Sequence, residues 1–223
     1  PEGHRKEYFN IFEDIVPVLF RFTNCANHKI PLLCLQILSS LTNMRLRTFE
    51  HSSDSLIRQL IVLLNSSSDP QLAQDCLRLL SNLMSRYANV SPSNTQYRMV
   101  LRSAFGNIED ESSTSVCHSV LRAILSRRPL LSEIYKGMDR ICCLVASGTS
   151  EHSRRMCAQI FLQFLLDYPL GARRLQHYLE QLIANLKYEC PAGRASVLNT
   201  LHAVILKFPK SVLRETAEVM FVP

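Results

Sequence analysis

The sequence predicts an all-α repeat solenoid, and three observations predict it: an apolar pattern of helical period, its recurrence every 40 to 42 residues, and turn chemistry at the joints. The recurrence appears when five segments are aligned at Cys34, Cys76, Cys117, Cys157 and Val197, which follow one another in steps of 42, 41, 40 and 40 residues. Four positions on stand Leu38, Leu80, Leu121, Phe161 and Leu201; seven positions on stand Leu41, Leu83, Ile124, Phe164 and Val204. The start, fourth and seventh positions share one helical face, so each segment offers the same apolar stripe for burial.

Each aligned segment is the second, or B, helix of a pair. The first, or A, helices are expected at about 7–24, 54–65, 94–109, 132–146 and 172–187, each amphipathic in the same way. Asp69-Pro70 reads as an N-cap followed by proline at the first helical position. Tyr168-Pro169 and Phe208-Pro209 end the fourth and fifth B helices, because the residue before proline avoids the α region. Pro129 stands at the equivalent place in the third repeat. A helix pair of about 40 to 47 residues is HEAT or armadillo length, longer than the tetratricopeptide unit. The expected fold is therefore a HEAT-type α-solenoid of about five helix pairs plus the start of a sixth. The whole of 1–223 reads as a segment of a larger solenoid, with repeats near 7–48, 54–88, 94–129, 132–169 and 172–209 and the next opening at 211–223. One pair cannot bury its own apolar face, so neighbouring pairs must stack.

Composition agrees with such a fold. A chain of 223 residues that is 47% hydrophobic is long enough to bury roughly 70 to 75% of its unfolded surface. Mean hydropathy is +0.02, and no apolar run reaches the roughly 18 residues of a membrane span, so no membrane partner is expected. Pro1-Glu2-Gly3-His4-Arg5-Lys6 lacks an initiator Met and a signal-peptide core, and Met220-Phe221-Val222-Pro223 is an apolar end. Both suggest a longer parent polypeptide. The eight cysteines mostly sit inside apolar helical stretches, which favours a reducing compartment and small buried hydrophobes over a disulfide framework. Cys142 and Cys143 are adjacent and point in different directions on a helix, and no cysteine or histidine set has zinc spacing. No metal and no cofactor are expected. The sequons at Asn65-Ser66-Ser67 and Asn89-Val90-Ser91 read as chance.

Enzymatic patterns are missing from the sequence: there is no glycine-rich phosphate loop, no G-x-S-x-G and no H-E-x-x-H. His152, Ser153 and Asp167 supply the residue types of a triad without a working spacing. Glu109-Asp110-Glu111 reads as an acidic turn favouring the next helix N-terminus.

The informative charge is basic, a net +6 with a pI near 9.0. At or just beyond the B-helix ends come Arg45 and Arg47, then Arg86, then Arg127 and Arg128, then Arg173 and Arg174, then Lys207 and Lys210. Cations at repeat spacing suit successive RNA phosphates or acidic partner segments, although the helix dipole alone favours cations at C-termini. Arg154, Arg155 and Arg194 open B helices instead, where the dipole disfavours them, so a partner contact or an inter-repeat ion pair is expected there. Any RNA contact would be to shape and phosphate, since no aromatic stacking module is evident.

The run Gln163-Phe164-Leu165-Leu166-Asp167-Tyr168-Pro169-Leu170-Gly171, followed by Arg173-Arg174-Leu175-Gln176, resembles the very large HEAT-repeat component of the small-subunit processome, the down-regulated-in-metastasis family. The likeness continues through Leu182-Ile183-Ala184-Asn185-Leu186-Lys187-Tyr188-Glu189, Gly193-Arg194, Leu201-His202-Ala203-Val204-Ile205 and Lys207-Phe208-Pro209. Asn27-His28-Lys29 with Leu33 to Leu38 matches more weakly, and Pro191 departs from the more polar turn of that motif. The resemblance implies a non-catalytic nucleolar scaffold in small ribosomal subunit assembly and pre-rRNA processing. Its partners would be ribosome-assembly proteins, with pre-rRNA or small nucleolar RNA as phosphate-contact candidates. The repeat alone permits a HEAT scaffold of another class, such as a nuclear transport receptor or phosphatase regulatory subunit. An enzyme with a cysteine nucleophile is the third reading, and it requires a thiol of lowered pKa.

Overall fold

The computed structural model describes residues 2–25, 27 and 29–217, with side chains from residue 9 onward. The expected sixth repeat therefore falls partly, at 218–223, outside the described residues, as does His28 of the weaker match. Among the described residues the secondary structure is helical throughout, with no strand. The chain divides into two compact units, Pro1–Ala104 and Phe105–Pro223.

In the first unit α1 (Glu2–Phe22) pairs with α2 (Lys29–Leu41), and α4 (Ser53–Ser66) pairs with α5 (Pro70–Arg86). The two B helices, α2 and α5, pack on each other. Their stripes are buried as the alignment requires: Cys34, Leu38 and Leu41 from α2, and Cys76, Leu80 and Leu83 from α5. Asp69 caps α5 by accepting the Gln71 N–H at 2.9 Å, with Pro70 in the first turn. Residues 49–51, expected as part of a connection, instead belong to a short α3 (Arg47–His51) that follows a 3₁₀ turn at Thr42–Met44. Burial explains it, because Leu46 and Phe49 are completely covered and hold the backbone between them inside the fold, where its N–H groups must find partners. Glu13 supplies them: its carboxylate accepts the Arg47 N–H at 2.7 Å and the Thr48 N–H at 2.8 Å. Pro17 sits inside α1 and cannot donate to the Glu13 carbonyl one turn back, and the Thr48 hydroxyl lies 3.3 Å from that carbonyl. Most of α6 (Asn94–Gly106) completes this unit and buries Tyr97, Val100, Leu101 and Ala104.

In the second unit the B helices α7 (Thr114–Arg127), α9 (Glu151–Asp167) and α11 (Pro191–Lys207) stack in series. The A helices α8 (Ser132–Ser147) and α10 (Ala172–Ala184) pack on each other alongside them. The register positions are again buried, from Cys117, Leu121 and Ile124 through Cys157, Phe161 and Phe164 to Val197 and Val204; Leu201 is the exception and stays partly exposed. The expected A helix at 172–187 ends early, at Ala184, and tightens into a 3₁₀ turn at Asn185–Lys187, whose Asn185 side chain donates to the Cys142 carbonyl at 2.9 Å. Tyr168 and Phe208 take extended ψ values of 144° before their prolines and end α9 and α11. Phe164 is the centre of an aromatic cluster, with Tyr178 at 5.0 Å and 88° and Tyr168 at 5.2 Å. A short α12 (Lys210–Glu215) follows.

Candidate functional site

The sequence-predicted cations fall into three structural settings. Arg86, Arg127 and Lys207 lie in the last turns of α5, α7 and α11, where the helix dipole stabilises positive charge. Arg47, Arg173, Arg174 and Lys210 lie elsewhere: they open α3, α10 and α12, at the positive end of each dipole. The sequence could not separate the end of one helix from the start of the next across such short joints. Of these, Arg174 has a task inside the fold, its guanidinium standing 4.1 Å over the Tyr135 ring. Arg173, Lys207 and Lys210 are exposed.

Arg45 and Arg128 form the second setting. Both are exposed C-caps in the left-handed region, each with φ of 53°, at the ends of the first and third B-helix segments. An L-residue there costs about 1 kcal/mol relative to glycine. Arginine has been placed where glycine would be conformationally cheaper.

The third setting is the start of the B helices. Arg154 reaches back six residues and donates to the Gly148 carbonyl at 2.8 Å. Arg194, forty positions on, does the same, donating to the Tyr188 and Glu189 carbonyls at 2.9 and 2.8 Å. These guanidiniums satisfy the orphan carbonyls that end the preceding A helix, an interaction strong enough to hold a cation against an unfavourable dipole. Arg155 is exposed, and among the described residues its guanidinium meets a ring nitrogen of His152, at 3.4 Å.

The enzyme-like groups are dispersed. His152 and Ser153 open α9 while Asp167 closes it, about 20 Å away at helical rise. His152 instead faces the Ser115 hydroxyl at 3.4 Å. Asp110 of the acidic turn accepts from Ser112 and Ser113 at the approach to α7, and these hydroxyls hold its carboxyl below the usual range. Burial pushes the thiols of Cys76, Cys117, Cys142 and Cys157 up to about 12, the opposite of nucleophile activation. Cys190 differs: the backbone N–H groups of Gly193 and Ala192 at the start of α11 hold its exposed thiol below the ordinary range. Among the described residues no group of three or more His, Cys, Asp or Glu side chains could hold a metal ion. Nor is any described helix long and apolar enough to cross a membrane.

No protein-family model matches the chain. Two curated proteins resemble it along nearly its whole length. Over 93% of the chain it is 26% identical to the U3 small nucleolar RNA-associated protein 20 of Schizosaccharomyces pombe. Over 94% it is 24% identical to the protein of the same name in Saccharomyces cerevisiae. The chain spans 8% of the length of each of these relatives. Among solved structures, a designed armadillo repeat protein in complex with the peptide (KR)4 aligns over 92% of the chain and 87% of its own, with a TM-score of 0.62 and 13% identity. An engineered protein aligns over 92% of the chain and 94% of its own, with a TM-score of 0.59 and 11% identity. The fold is a repeat α-solenoid.

Proposed function

We propose that this chain is a segment of a non-catalytic scaffold in small ribosomal subunit assembly and pre-rRNA processing, acting in the nucleolus. The observation that carries the reading is the similarity, sustained along 93% and 94% of the chain, to two yeast proteins whose shared name ties them to the U3 small nucleolar RNA. The fold supports it, since a stack of helix pairs offers long surfaces for several partners and needs no catalytic centre. The stack holds assembly proteins. The exposed cations Arg45, Arg86, Arg128, Arg173, Lys207 and Lys210 contact phosphates of pre-rRNA or small nucleolar RNA.

Ultraviolet crosslinking of the full-length protein in cells, with both RNA and peptide mapped, tests this. Small-subunit precursor RNA linked to the peptides carrying Arg127-Arg128 or Arg173-Arg174 is the expected result. A full-length protein that never co-purifies with small-subunit precursors overturns the assembly role.

A further inference from the structure

A groove of about 380 Å³ runs between α9 and α11, within the range of pockets that hold small ligands or short peptide stretches. It exists because both helices spend small side chains here, including Ala158 on α9 and Ala195 and Ala203 on α11, so the two B helices leave volume between them unfilled. Gln159 and Asn199 face this groove from opposite sides. They occupy the same repeat register, each two residues after a core position, Cys157 and Val197, and both are exposed. Gln159 also acts on the buried His118 of α7, whose charged form it favours against burial.

The chemistry of that pair selects its occupant. A carboxamide donates and accepts, as a peptide unit does, whereas a phosphate only accepts. Packed helices lie about 8–10 Å apart, the span of two to three residues of extended chain at about 3.3 Å each, so the two carboxamides fall within reach of peptide groups two to three residues apart on one strand. Single-stranded RNA would want an aromatic stacking platform, and the groove lining has none. At the mouth, Arg154 is committed to the Gly148 carbonyl, and Arg155 keeps most of its donors open beside Glu151. That arrangement fits one acidic side chain at a defined place better than a run of phosphates.

We propose that the α9–α11 groove binds an extended, acidic peptide segment of a partner protein, its main chain hydrogen-bonded to Gln159 and Asn199 and an Asp or Glu side chain paired with Arg155. The proposal goes beyond the assembly role and uses none of the cations assigned there to RNA, so either can fail alone.

Fluorescence anisotropy on the full chain tests it, with a labelled octapeptide of alternating glutamate and alanine as probe and a lysine–alanine octapeptide and a short oligouridylate as competitors. Saturable binding of the acidic probe is expected, weakened about tenfold or more in the double variant Gln159→Leu, Asn199→Leu, in line with the loss of two hydrogen bonds. In Arg155→Glu the preference between acidic and basic peptides should reverse. Arg155 and Asn199 are exposed, so the thermal melt of Arg155→Glu should match the parent chain, and circular dichroism of the double variant should show the parent's helix content. An acidic probe that does not bind, binds the double variant equally well, or is displaced only by the oligouridylate overturns the proposal.

Discussion

At the scale of single residues, Arg45 and Arg128 separate stability from binding. Each holds a left-handed backbone that costs an arginine about 1 kcal/mol and a glycine almost nothing. Arg128→Gly is therefore expected to raise the urea unfolding free energy by about 0.5–1 kcal/mol, while RNA crosslinking at that peptide falls. A variant that loses both stability and crosslinking would tie the side chain to the fold instead. His118 is a second informative residue. It is 7% exposed, and its pKa is pushed down from 6.5 to about 4, by burial first and then by Arg122 and His152, with Gln159 opposing. Between those two values the unfolded chain takes up a proton that the folded chain refuses, so stability present at neutral pH is lost as pH falls through that window. At pH 5 the loss should be about 2 kcal/mol relative to pH 7. Urea titrations at both pH values should show a smaller difference for His118→Leu than for the parent chain.

At the scale of elements, the close approach of α11 to α8 depends on Gly193. A methyl group there would stand 2.4 Å from the Ala146 carbonyl oxygen and 2.7 Å from the Tyr188 ring. Alanine gains about 1 kcal/mol of helix propensity, but the obstacle is backbone and cannot swing aside, so the clash wins. Gly193→Ala should destabilise the chain by about 1–2 kcal/mol in urea unfolding, whereas Gly106→Ala, with nothing within 4 Å, should not. How far such elements can be read from sequence divides along a physical line. The A and B helices were legible because Cys34, Cys76, Cys117 and Cys157 recur at core positions and prolines punctuate their ends. The short α3 was not, because it is held by Glu13 from 34 residues away. The arginine clamps at Arg154 and Arg194 were equally hidden: charge at a helix start reads as unfavourable until the carbonyls of the preceding helix are placed beside it.

At the scale of the whole molecule, the sequence spaces the cations at repeat intervals but does not say which helix end each one occupies. Periodicity brought out Arg127, Arg128, Arg173 and Arg174 together, yet Arg174 lies over Tyr135 while Arg173 is left to solvent, a difference set by which side of α10 faces α8. The groove went unseen for a related reason. Alanines at 192, 195 and 203 look like ordinary helix formers, and the space they leave appears only when α9 is packed against them. The bonds between neighbouring repeats have one more consequence. In the second unit Tyr178 donates to the Tyr135 carbonyl at 3.1 Å, Asn185 to the Cys142 carbonyl at 2.9 Å and Gln163 to the Arg122 carbonyl at 3.3 Å, each reaching back 41 to 43 residues. Stretched between its termini, such a stack loads these ties one after another, as a zipper does, and never in parallel shear. Optical-tweezer traces of α7–α11 should show a staircase of low-force rips, each releasing about 14 nm of contour for one repeat. A single high-force rip would show that neighbouring repeats yield together. A peeling stack extends under load and re-forms when the load is removed, so this segment would behave as a soft spring.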